Sequence, residues 1–196
     1  MADLKIAVVL GSTRTGRLGA SVADWIIDAA AGRPGADYEL VDLLDHPMPF
    51  FDGISPAYVP PSDPAVQKFA AKIAEFDGYV FITPEYNHSF SAVLKNALDS
   101  IYPEFNNKAA GFASYGSLSG ARAVEQLRLV ASELQLAHVR TQLAFSIFND
   151  FENFGTPDVK FAPGPQHADG AQALFGQLEA WAGALKAIHA HDTVPA

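Results

Sequence analysis

The sequence predicts a three-layer α/β fold built on one parallel sheet of five strands. Short apolar segments of strand length alternate with longer segments whose apolar residues recur every three or four positions, which is the spacing of a helix face. Several of the short segments are apolar throughout, as strands covered by helices on both sides are. The chain has 196 residues, 49% of them hydrophobic, and no apolar run of membrane-spanning length. We therefore expect one domain over residues 1–196 with a sizeable core.

The predicted strands follow one another at regular intervals. They are Lys5–Leu10, Tyr38–Leu43, Tyr79–Thr83, Lys108–Tyr115 and Val139–Phe145. Apolar residues at helical spacing mark the helices between and after them: Val22, Trp25, Ile26 and Ala29; Val66, Phe69, Ala70 and Ile73; Leu94, Ala97, Leu98 and Ile101; Leu127, Val130, Ala131 and Leu134; and Leu174, Leu178, Trp181, Leu185 and Ile188. Ser62 or Asp63 is the expected N-cap of the second helix.

Two segments do not fit either pattern. Residues 44–64 contain six prolines, which exclude helix and central strand, so they are predicted to form a long loop. A functional loop and a surface excursion packed on its own domain are equally compatible with this composition. Residues 148–166 are predicted to be irregular, with their four phenylalanines in local packing rather than in a subunit contact. The chain after Ile188 is expected to fray.

The character of the strands predicts their order. Strands one, three and four are continuous apolar runs and belong inside the sheet, whereas strands two and five are mixed or alternating and belong at its edges. This selects the order 2-1-3-4-5, the flavodoxin-like arrangement. In that arrangement a ligand binds beyond the carboxyl ends of strands one and three, so the loops after those strands are the candidate site.

The loop Gly11–Gly19 (GSTRTGRLG) joins the first strand to the first helix. Unpaired amides and the helix dipole make such a helix N-terminus attractive to anions. The loop adds hydroxyl and guanidinium donors at Ser12, Thr13, Thr15, Arg14 and Arg17. Two arginines near the positive end of a helix favour the interpretation that this loop binds a phosphate group. The alternative is a strand-to-helix turn in which the glycines only relieve strain.

Three better-known anion loops are excluded by single residues. A dinucleotide fingerprint needs a glycine where Thr13 stands. A Walker loop needs Lys followed by Ser or Thr, whereas Arg17 and Leu18 follow Gly16. A phosphatase-type loop needs a thiolate, and the chain has no cysteine.

The composition also argues against several classes of partner and ligand. The formal charge of −9 and the absence of a basic stripe argue against nucleic acid. Without cysteine there are no disulfides and no thiolate metal sites, and no histidine or carboxylate spacing indicates a metal. The chain shows no leader before its first strand, so we expect a cytoplasmic protein without a membrane contact.

Two further loops lie at the same predicted edge of the sheet. After strand three, Pro84 stiffens the exit and Tyr86 and Asn87 offer an aromatic face and an amide, which suit a flat heterocycle. After strand four, the small residues of Tyr115–Gly120 let backbone amides approach a ligand. Helix capping alone would explain each loop singly, but three such loops at one edge favour a binding site.

These residues resemble the NADPH-dependent FMN reductase family. The resemblance is carried by Gly11-Ser-Thr-Arg14, Pro84-Glu-Tyr-Asn87 with Leu94-Lys-Asn-Ala-Leu-Asp99, and Ser114-Tyr-Gly116 with Ala121-Arg-Ala and Gln126-Leu-Arg. It extends from the first strand through the fourth helix. It implies non-covalent FMN, NADPH or NADH as the reductant, a small-molecule electron acceptor, and a homodimer or homotetramer with the flavin near a subunit boundary.

The resemblance also implies which residues bind the cofactor. The FMN phosphate would be held by Ser12, Arg14, Arg17, Leu18 and Gly19. The isoalloxazine would be lined by Pro84, Glu85, Tyr86 and Asn87, and its pyrimidine edge would meet Tyr115, Gly116 and Ser117. This chain departs from the family at Ser91-Ala92, where Pro-Gly is common, at Gly19 and Ser100, and in the interrupted glycine pair of Ser117–Gly120.

The expected activity follows from the cofactor, because the flavin carries the redox chemistry and no protein nucleophile is required. We expect ping-pong hydride transfer from NAD(P)H to FMN and then to quinones, free flavins, azo compounds or similar acceptors. His88, beside the expected flavin wall, is either a substrate contact or a solvated loop residue. The competing hypotheses are a flavodoxin-type electron carrier without NAD(P)H turnover, and a binding or scaffolding protein that keeps the fold without flavin.

Overall fold

The structure, a computed structural model, describes residues 4–192 of the chain and the side chains of residues 4–188. Its main sheet has five parallel strands in the order β2-β1-β3-β4-β5, which confirms the predicted order. The strands are β1 (Leu4–Leu10), β2 (Ala36–Asp42), β3 (Gly78–Pro84), β4 (Ala109–Gly116) and β5 (Ala137–Ser146). The helices are α1 (Gly19–Ala30), α2 (Pro64–Ala74), α3 (Ala92–Ser100), α4 (Ala121–Glu133) and α5 (Gln166–Asp192).

The sheet has an apolar core on each face. Successive strand residues point to opposite faces, so Val9 and Phe81 pack with α2, α3 and α4, whereas Val8 and Val80 pack with α1 and α5. Every residue of β3 and β4 is buried, and the edge strands β2 and β5 alternate between buried and accessible positions. This explains why the inner strands are apolar throughout.

Side-chain caps fix the start of two helices near the carboxyl edge, the side of the sheet where the five strands end. Asp63 caps α2 through the amides of Ala65 and Val66, at 2.8 and 3.2 Å, so it is the N-cap rather than Ser62. Ser91 caps α3 through the amide of Leu94 at 3.2 Å, and its hydroxyl also donates to the carbonyl of Gly11. Ser91 therefore ties the start of α3 to the end of β1.

The structure departs from the prediction after β5. The segment expected to be irregular contains a two-residue antiparallel pair, β6 (Phe151–Glu152) with β7 (Lys160–Phe161). The rings of Phe151 and Phe161 pack in a tilted arrangement with centroids 5.0 Å apart, and those of Phe148 and Phe154 pack edge to face at 6.1 Å and stay exposed. The chain was expected to fray after Ile188, but helix α5 continues to Asp192. Residues 193–196 lie outside the described part of the chain.

Candidate functional site

A cavity of about 410 Å³ lies at the carboxyl edge, beside the ends of β1 and β3. It is lined by Ser12, Thr13, Arg14, Met48, Phe50, Tyr86, Ser91, Ala92, Val93 and Asn96. Of the residues predicted from sequence, Ser12, Arg14 and Tyr86 line it directly. Arg17, Leu18 and Gly19 follow in the first loop and at the start of α1, and Pro84, Glu85 and Asn87 flank Tyr86, but none of these lines the cavity. Nor do Tyr115, Gly116 and Ser117, which lie at the end of β4. The cavity is thus at the switch point of the sheet, where open α/β folds bind their ligands.

The two arginines of the glycine-rich loop have different partners. The guanidinium of Arg14 is exposed, and within the described part of the chain its hydrogen bonds go to two carbonyls of its own loop, those of Thr15 and Gly16, each at 3.3 Å. Arg17 is half-buried; it forms a bidentate ion pair with Asp42, the last residue of β2, and donates to the carbonyl of Ser12. The hydrogen bond with Asp42 raises the pKa of Arg17. Arg14 therefore remains available for an anion, whereas Arg17 holds the loop.

Tyr115 supports the same loop from below. Its ring is 5% exposed, and its hydroxyl lies 3.4 Å from the hydroxyl of Ser12. Burial raises the pKa of Tyr115 to about 12, so the phenol stays protonated. A Cβ on Gly19 would lie 2.9 Å from Ser12 Oγ and 3.0 Å from Tyr115 Oη, so a larger residue at the first position of α1 would displace these side chains. The side chain of Tyr115 thus contacts the glycine-rich loop.

The second loop is a tight turn between β3 and α3. Tyr86 and Ser89 exchange both backbone hydrogen bonds, at 2.8 and 3.0 Å, and Asn87 and His88 between them have positive φ values of 50° and 70°. Tyr86 is 41% exposed toward the cavity, whereas Pro84 is buried at the end of β3. The carboxylate of Glu85 faces α4, where Arg122 pairs with it. The turn therefore presents Tyr86 to the cavity.

The proline-rich loop, residues 46–63, forms the wall that sequence reasoning did not assign to the site. The side-chain amide of Asn96 accepts from the backbone of Phe51 at 2.8 Å and donates to the carbonyl of Pro49 at 2.9 Å. This clamp leaves the side chain of Phe50 81% exposed, and Met48 is half-buried beside it. The sequence held two signals: the amide of Asn96 within the Leu94–Asp99 motif, and the apolar residues between the prolines. Nothing in the sequence indicated that these two segments contact each other.

The residues present fit a flavin mononucleotide. Ser12 and Arg14 line the cavity with a buried hydroxyl and an exposed guanidinium, and their loop leads to the N-terminus of α1, whose N-cap Leu18 adds no side-chain hydrogen bond; this donor set suits a phosphate monoester. Tyr86, Phe50 and Met48 line the same cavity with aromatic and apolar surface, which suits a flat aromatic ring system. Fold and site together therefore define a flavodoxin-like protein with a nucleotide-sized cavity at its switch point.

Comparisons with known proteins identify the family. The model of the NADPH-dependent FMN reductase family matches residues 4–150, so this chain belongs to that family. The chain is similar to an NAD(P)H-dependent FMN reductase of Schizosaccharomyces pombe, at 34% identity over 89% of this chain and 88% of the relative. It is also similar to an NAD(P)H:quinone oxidoreductase of Solanum tuberosum, at 31% identity over 68% of this chain and 70% of the relative.

Solved structures agree on the fold. The flavoenzyme NAD(P)H:(acceptor) oxidoreductase FerB of Paracoccus denitrificans matches with a TM-score of 0.71 over 92% of this chain and 97% of its own, at 20% sequence identity. Family membership confirms the predicted class: the protein is an oxidoreductase that uses FMN and NAD(P)H. It favours a reductase over a flavodoxin-type carrier. Among the described residues, no helix has both the length and the apolar character needed to cross a bilayer.

Proposed function

We propose that the protein is a ping-pong reductase in which NAD(P)H and a small acceptor take turns at one open face of bound FMN. The acceptors are quinones, free flavins, azo compounds or similar molecules. The observation that carries the proposal is the 410 Å³ cavity, which is lined both by the hydroxyl and guanidinium of Ser12 and Arg14 and by the exposed aromatic side chains of Tyr86 and Phe50. The whole chain, residues 1–196, acts as one FMN-binding domain in this proposal.

The cofactor contacts divide into two groups. At the phosphate end, Ser12 and Arg14 bind the phosphate directly, with backbone groups of Leu18 and Gly19 at the start of α1, and Arg17 keeps the loop in shape through Asp42. At the ring end, Tyr86 and the backbone of Pro84–Asn87 support one side of the isoalloxazine, and the amides of Gly116 and Ser117 approach its pyrimidine edge. These oriented amides would stabilise negative charge on the ring.

The protein contributes position rather than acid or base chemistry. FMN, when bound, supplies the transfer of two electrons from NAD(P)H to the acceptor. Tyr86 and Phe50 form an aromatic border against which a flat nicotinamide or quinone ring can lie. Because NAD(P)H and the acceptor would lie against the same aromatic side chains, they must bind one after the other. This is the basis for the proposed ping-pong order.

An oligomer is part of the proposal. The proline-rich loop exposes Phe50, Ile54, Tyr58 and Val59, the first and third by more than 80%. Such a concentration of exposed apolar side chains is typical of protein interaction sites. Because the loop is also a wall of the cavity, a second copy of this chain covering it would place the flavin near the subunit boundary. Light scattering should give a homodimer or homotetramer, and a monomer at micromolar concentration would contradict this part.

The decisive experiment is spectroscopic. The purified protein, supplied with FMN, should show a bound-flavin absorption spectrum that bleaches on anaerobic addition of NADPH and recovers when a quinone is added. Initial rates at several quinone concentrations should give parallel double-reciprocal lines. Bound flavin that stays yellow in excess NADPH would contradict the reductase, and a protein that takes up no FMN would favour the scaffolding alternative.

The absence of cysteine from the whole sequence fits a reducing compartment, and we propose a cytoplasmic location on that basis. Fractionation of the source cells with an antibody against the protein would test it. Recovery in a membrane or secreted fraction would contradict it.

A further inference from the structure

We infer that Arg122, which does not line the cavity, is a positioning residue for flavin binding because it holds the Tyr86-bearing turn in shape. The inference rests on the proposed function, since it concerns the ring end of the same site. It extends that function to α4, a helix to which the site had assigned no role. The residues that carry it are those of the turn Glu85–Ser89 and of the first two turns of α4.

The link between the turn and α4 begins at Glu85. Its side chain is only 4% exposed, and its carboxylate accepts from Arg122 Nε at 2.6 Å and from the backbone amide of Arg122 at 3.2 Å. Arg122 Nη2 pairs with the same carboxylate oxygen as Nε, and the backbone amide bonds the other oxygen. The carboxylate therefore lies beside the first turn of α4, where the helix dipole stabilises negative charge. A buried carboxylate with this partner is costly to leave alone, because removing one member of a buried pair strands the other's charge.

The same guanidinium reaches the far side of the turn. Arg122 Nη1 lies 2.7 Å from Nε2 of His88, and because a guanidinium only donates, this ring nitrogen is the acceptor of the contact. One turn further along α4, the side-chain amide of Gln126 donates to the carbonyl of His88 at 2.8 Å and accepts from the hydroxyl of Ser89 at 2.7 Å. Two side chains of α4 thus hold the turn at both ends.

The backbone of the turn is left-handed at two residues that are not glycine. Asn87 and His88 have φ values of 50° and 70°. Asn and His adopt this conformation more readily than most residues, but it still costs free energy relative to glycine, and contacts from α4 offset that cost. Tyr86, the residue before them, is 41% exposed to the cavity, so its ring direction depends on the shape of this turn.

Glu85 also connects the turn to the third loop. Its amide donates to the carbonyl of Tyr115 at 2.9 Å, and a Cβ on Gly116 would lie 3.1 Å from Glu85 Cβ. The turn and the third loop are therefore in van der Waals contact beneath the ring end of the cavity. Because Arg122 fixes Glu85, it fixes both loops that are proposed to contact the isoalloxazine.

The first test compares the affinities for FMN and riboflavin, which differ only in the phosphate. Flavin-free wild-type protein and the variants R122Q and R122K are titrated with each flavin, and quenching of flavin fluorescence gives Kd. A loss at the ring end should raise both Kd values in R122Q by the same factor, about tenfold for one or two lost charge-assisted hydrogen bonds. R122K keeps the charge and should restore part of the affinity for both flavins.

Arg128 provides a matched control on the same helix. It makes three hydrogen-bond contacts of its own, to His138 and to the carbonyls of Val139 and Arg140 on β5, away from the turn. R128Q should lower the stability of the protein to denaturant and leave both flavin affinities at the wild-type value. If R128Q weakens flavin binding as much as R122Q does, the effect is general destabilisation and the inference is wrong.

A double-mutant cycle tests the pathway through Glu85. If Arg122 acts by holding this carboxylate, E85Q and R122Q should each weaken flavin binding and the double variant should be no weaker than R122Q alone. Additive losses would mean that Arg122 acts independently of Glu85, which would contradict the pathway.

A third measurement needs no flavin. The amides of Tyr86 and Ser89 are hydrogen-bonded within the turn, so they should exchange with solvent slowly in wild-type apoprotein and at least about tenfold faster in R122Q. R128Q should leave these two amides unchanged. Unchanged exchange in R122Q would show that the turn holds its shape without Arg122.

The outcomes separate this inference from the proposed function. A wild-type protein that binds flavin while R122Q binds both flavins equally well overturns the positioning role alone. A loss in R122Q confined to FMN would mean that Arg122 contacts the phosphate, which also overturns it. A wild-type protein that binds neither flavin overturns the proposed function itself.

Discussion

The two ends of the sheet use polar side chains in opposite ways. At the amino edge, where the strands begin, Lys108 is 6% exposed, and its ammonium donates to the carbonyls of Ile73 and Ala74 at the end of α2 and to the hydroxyl of Tyr79. At the carboxyl edge, the guanidinium of Arg14 is exposed, and among the described residues its hydrogen bonds are two long contacts within its own loop.

This difference indicates that polar groups at the amino edge contribute to stability, whereas polar groups at the carboxyl edge are available for binding. The amino edge closes a helix C-terminus with a buried cation, whose hydrogen bonds go to carbonyls and a hydroxyl of the fold itself. At the carboxyl edge, Ser12 and Arg14 face a cavity, and Arg17 and Tyr115 contact the loop that carries them. Arg122 is proposed to hold the neighbouring turn in shape. Changes at the first edge should alter unfolding, and changes at the second should alter affinity for flavin.

The largest expected effect separates the two edges most clearly. R14A removes the guanidinium proposed to bind the phosphate, so Kd for FMN should rise about thirtyfold, in the range of charge-assisted hydrogen bonds. Kd for riboflavin and the denaturation midpoint should not change. The matched control is R140A, an exposed arginine on β5, which should leave both affinities unaltered. Equal losses for the two flavins in R14A would contradict the division into phosphate and ring ends.

The second effect concerns the amino edge and is a dependence of stability on pH. Burial lowers the pKa of Lys108 to about 8, below its usual value of about 10.4. Between these two pH values the unfolded chain binds more protons at this site than the folded chain, so the free energy of unfolding should rise with pH. From pH 8 to 9.5 the rise should be about 1–2 kcal/mol.

Urea denaturation of wild type and K108M across this range measures the effect. K108M should lack the rise, and the difference between the two curves isolates Lys108 from other groups. Burial also raises the pKa of Tyr79. Because Tyr79 is an acid, its contribution to the free energy of unfolding decreases only above pH 10, outside the range in which Lys108 is tested. Parallel curves for the two proteins would show that Lys108 is not the group responsible.

The third effect tests whether Arg17 positions the loop or binds the phosphate. D42N removes the charge that pairs with Arg17 and should loosen the loop, so FMN affinity should fall about fivefold with a smaller fall for riboflavin. If Arg17 is instead a phosphate ligand restrained by Asp42, D42N should bind FMN more tightly. The sign of the change in Kd therefore decides between the two roles.

The smallest expected effect concerns the support beneath the same loop. Y115F removes the hydroxyl that lies 3.4 Å from Ser12 Oγ and keeps the buried ring. FMN affinity should fall about threefold and stability by about 0.5–1 kcal/mol, the usual net value of one hydrogen bond. Y102F, at an exposed hydroxyl on the far side of α3, is the control and should leave FMN binding unaltered.

Much of the carboxyl edge could be predicted from short segments of sequence. The glycine-rich loop follows a buried strand and precedes a helix, and this order alone places it at the switch point. Tyr86 was predicted to face the ligand because it follows the apolar strand β3 and a proline. Both inferences concern neighbours in sequence, where strand period and turn residues constrain the backbone strongly.

The partners of these residues could not be predicted in the same way. Arg17 pairs with Asp42, which is 25 residues away in the sequence. The separation is 45 residues for the hydrogen bond between Phe51 and Asn96, and 37 residues for the pair of Glu85 and Arg122. Each is one charged or amide group among many that the composition allows to pair. Only the packing of the helices on the sheet decides which of them meet, so both arginines of the loop look alike in sequence and differ in the structure.

The sequence by itself determined the order of the strands, because burial on two faces leaves a readable pattern. Its motifs, through their resemblance to a family, indicated the cofactor and the edge of the sheet proposed to bind it. The tertiary structure alone decided which polar groups are occupied within the fold and which remain for a ligand. The physical reason is that a buried charge must find a partner wherever the fold brings one. A donor stays available for a ligand only where the fold brings none.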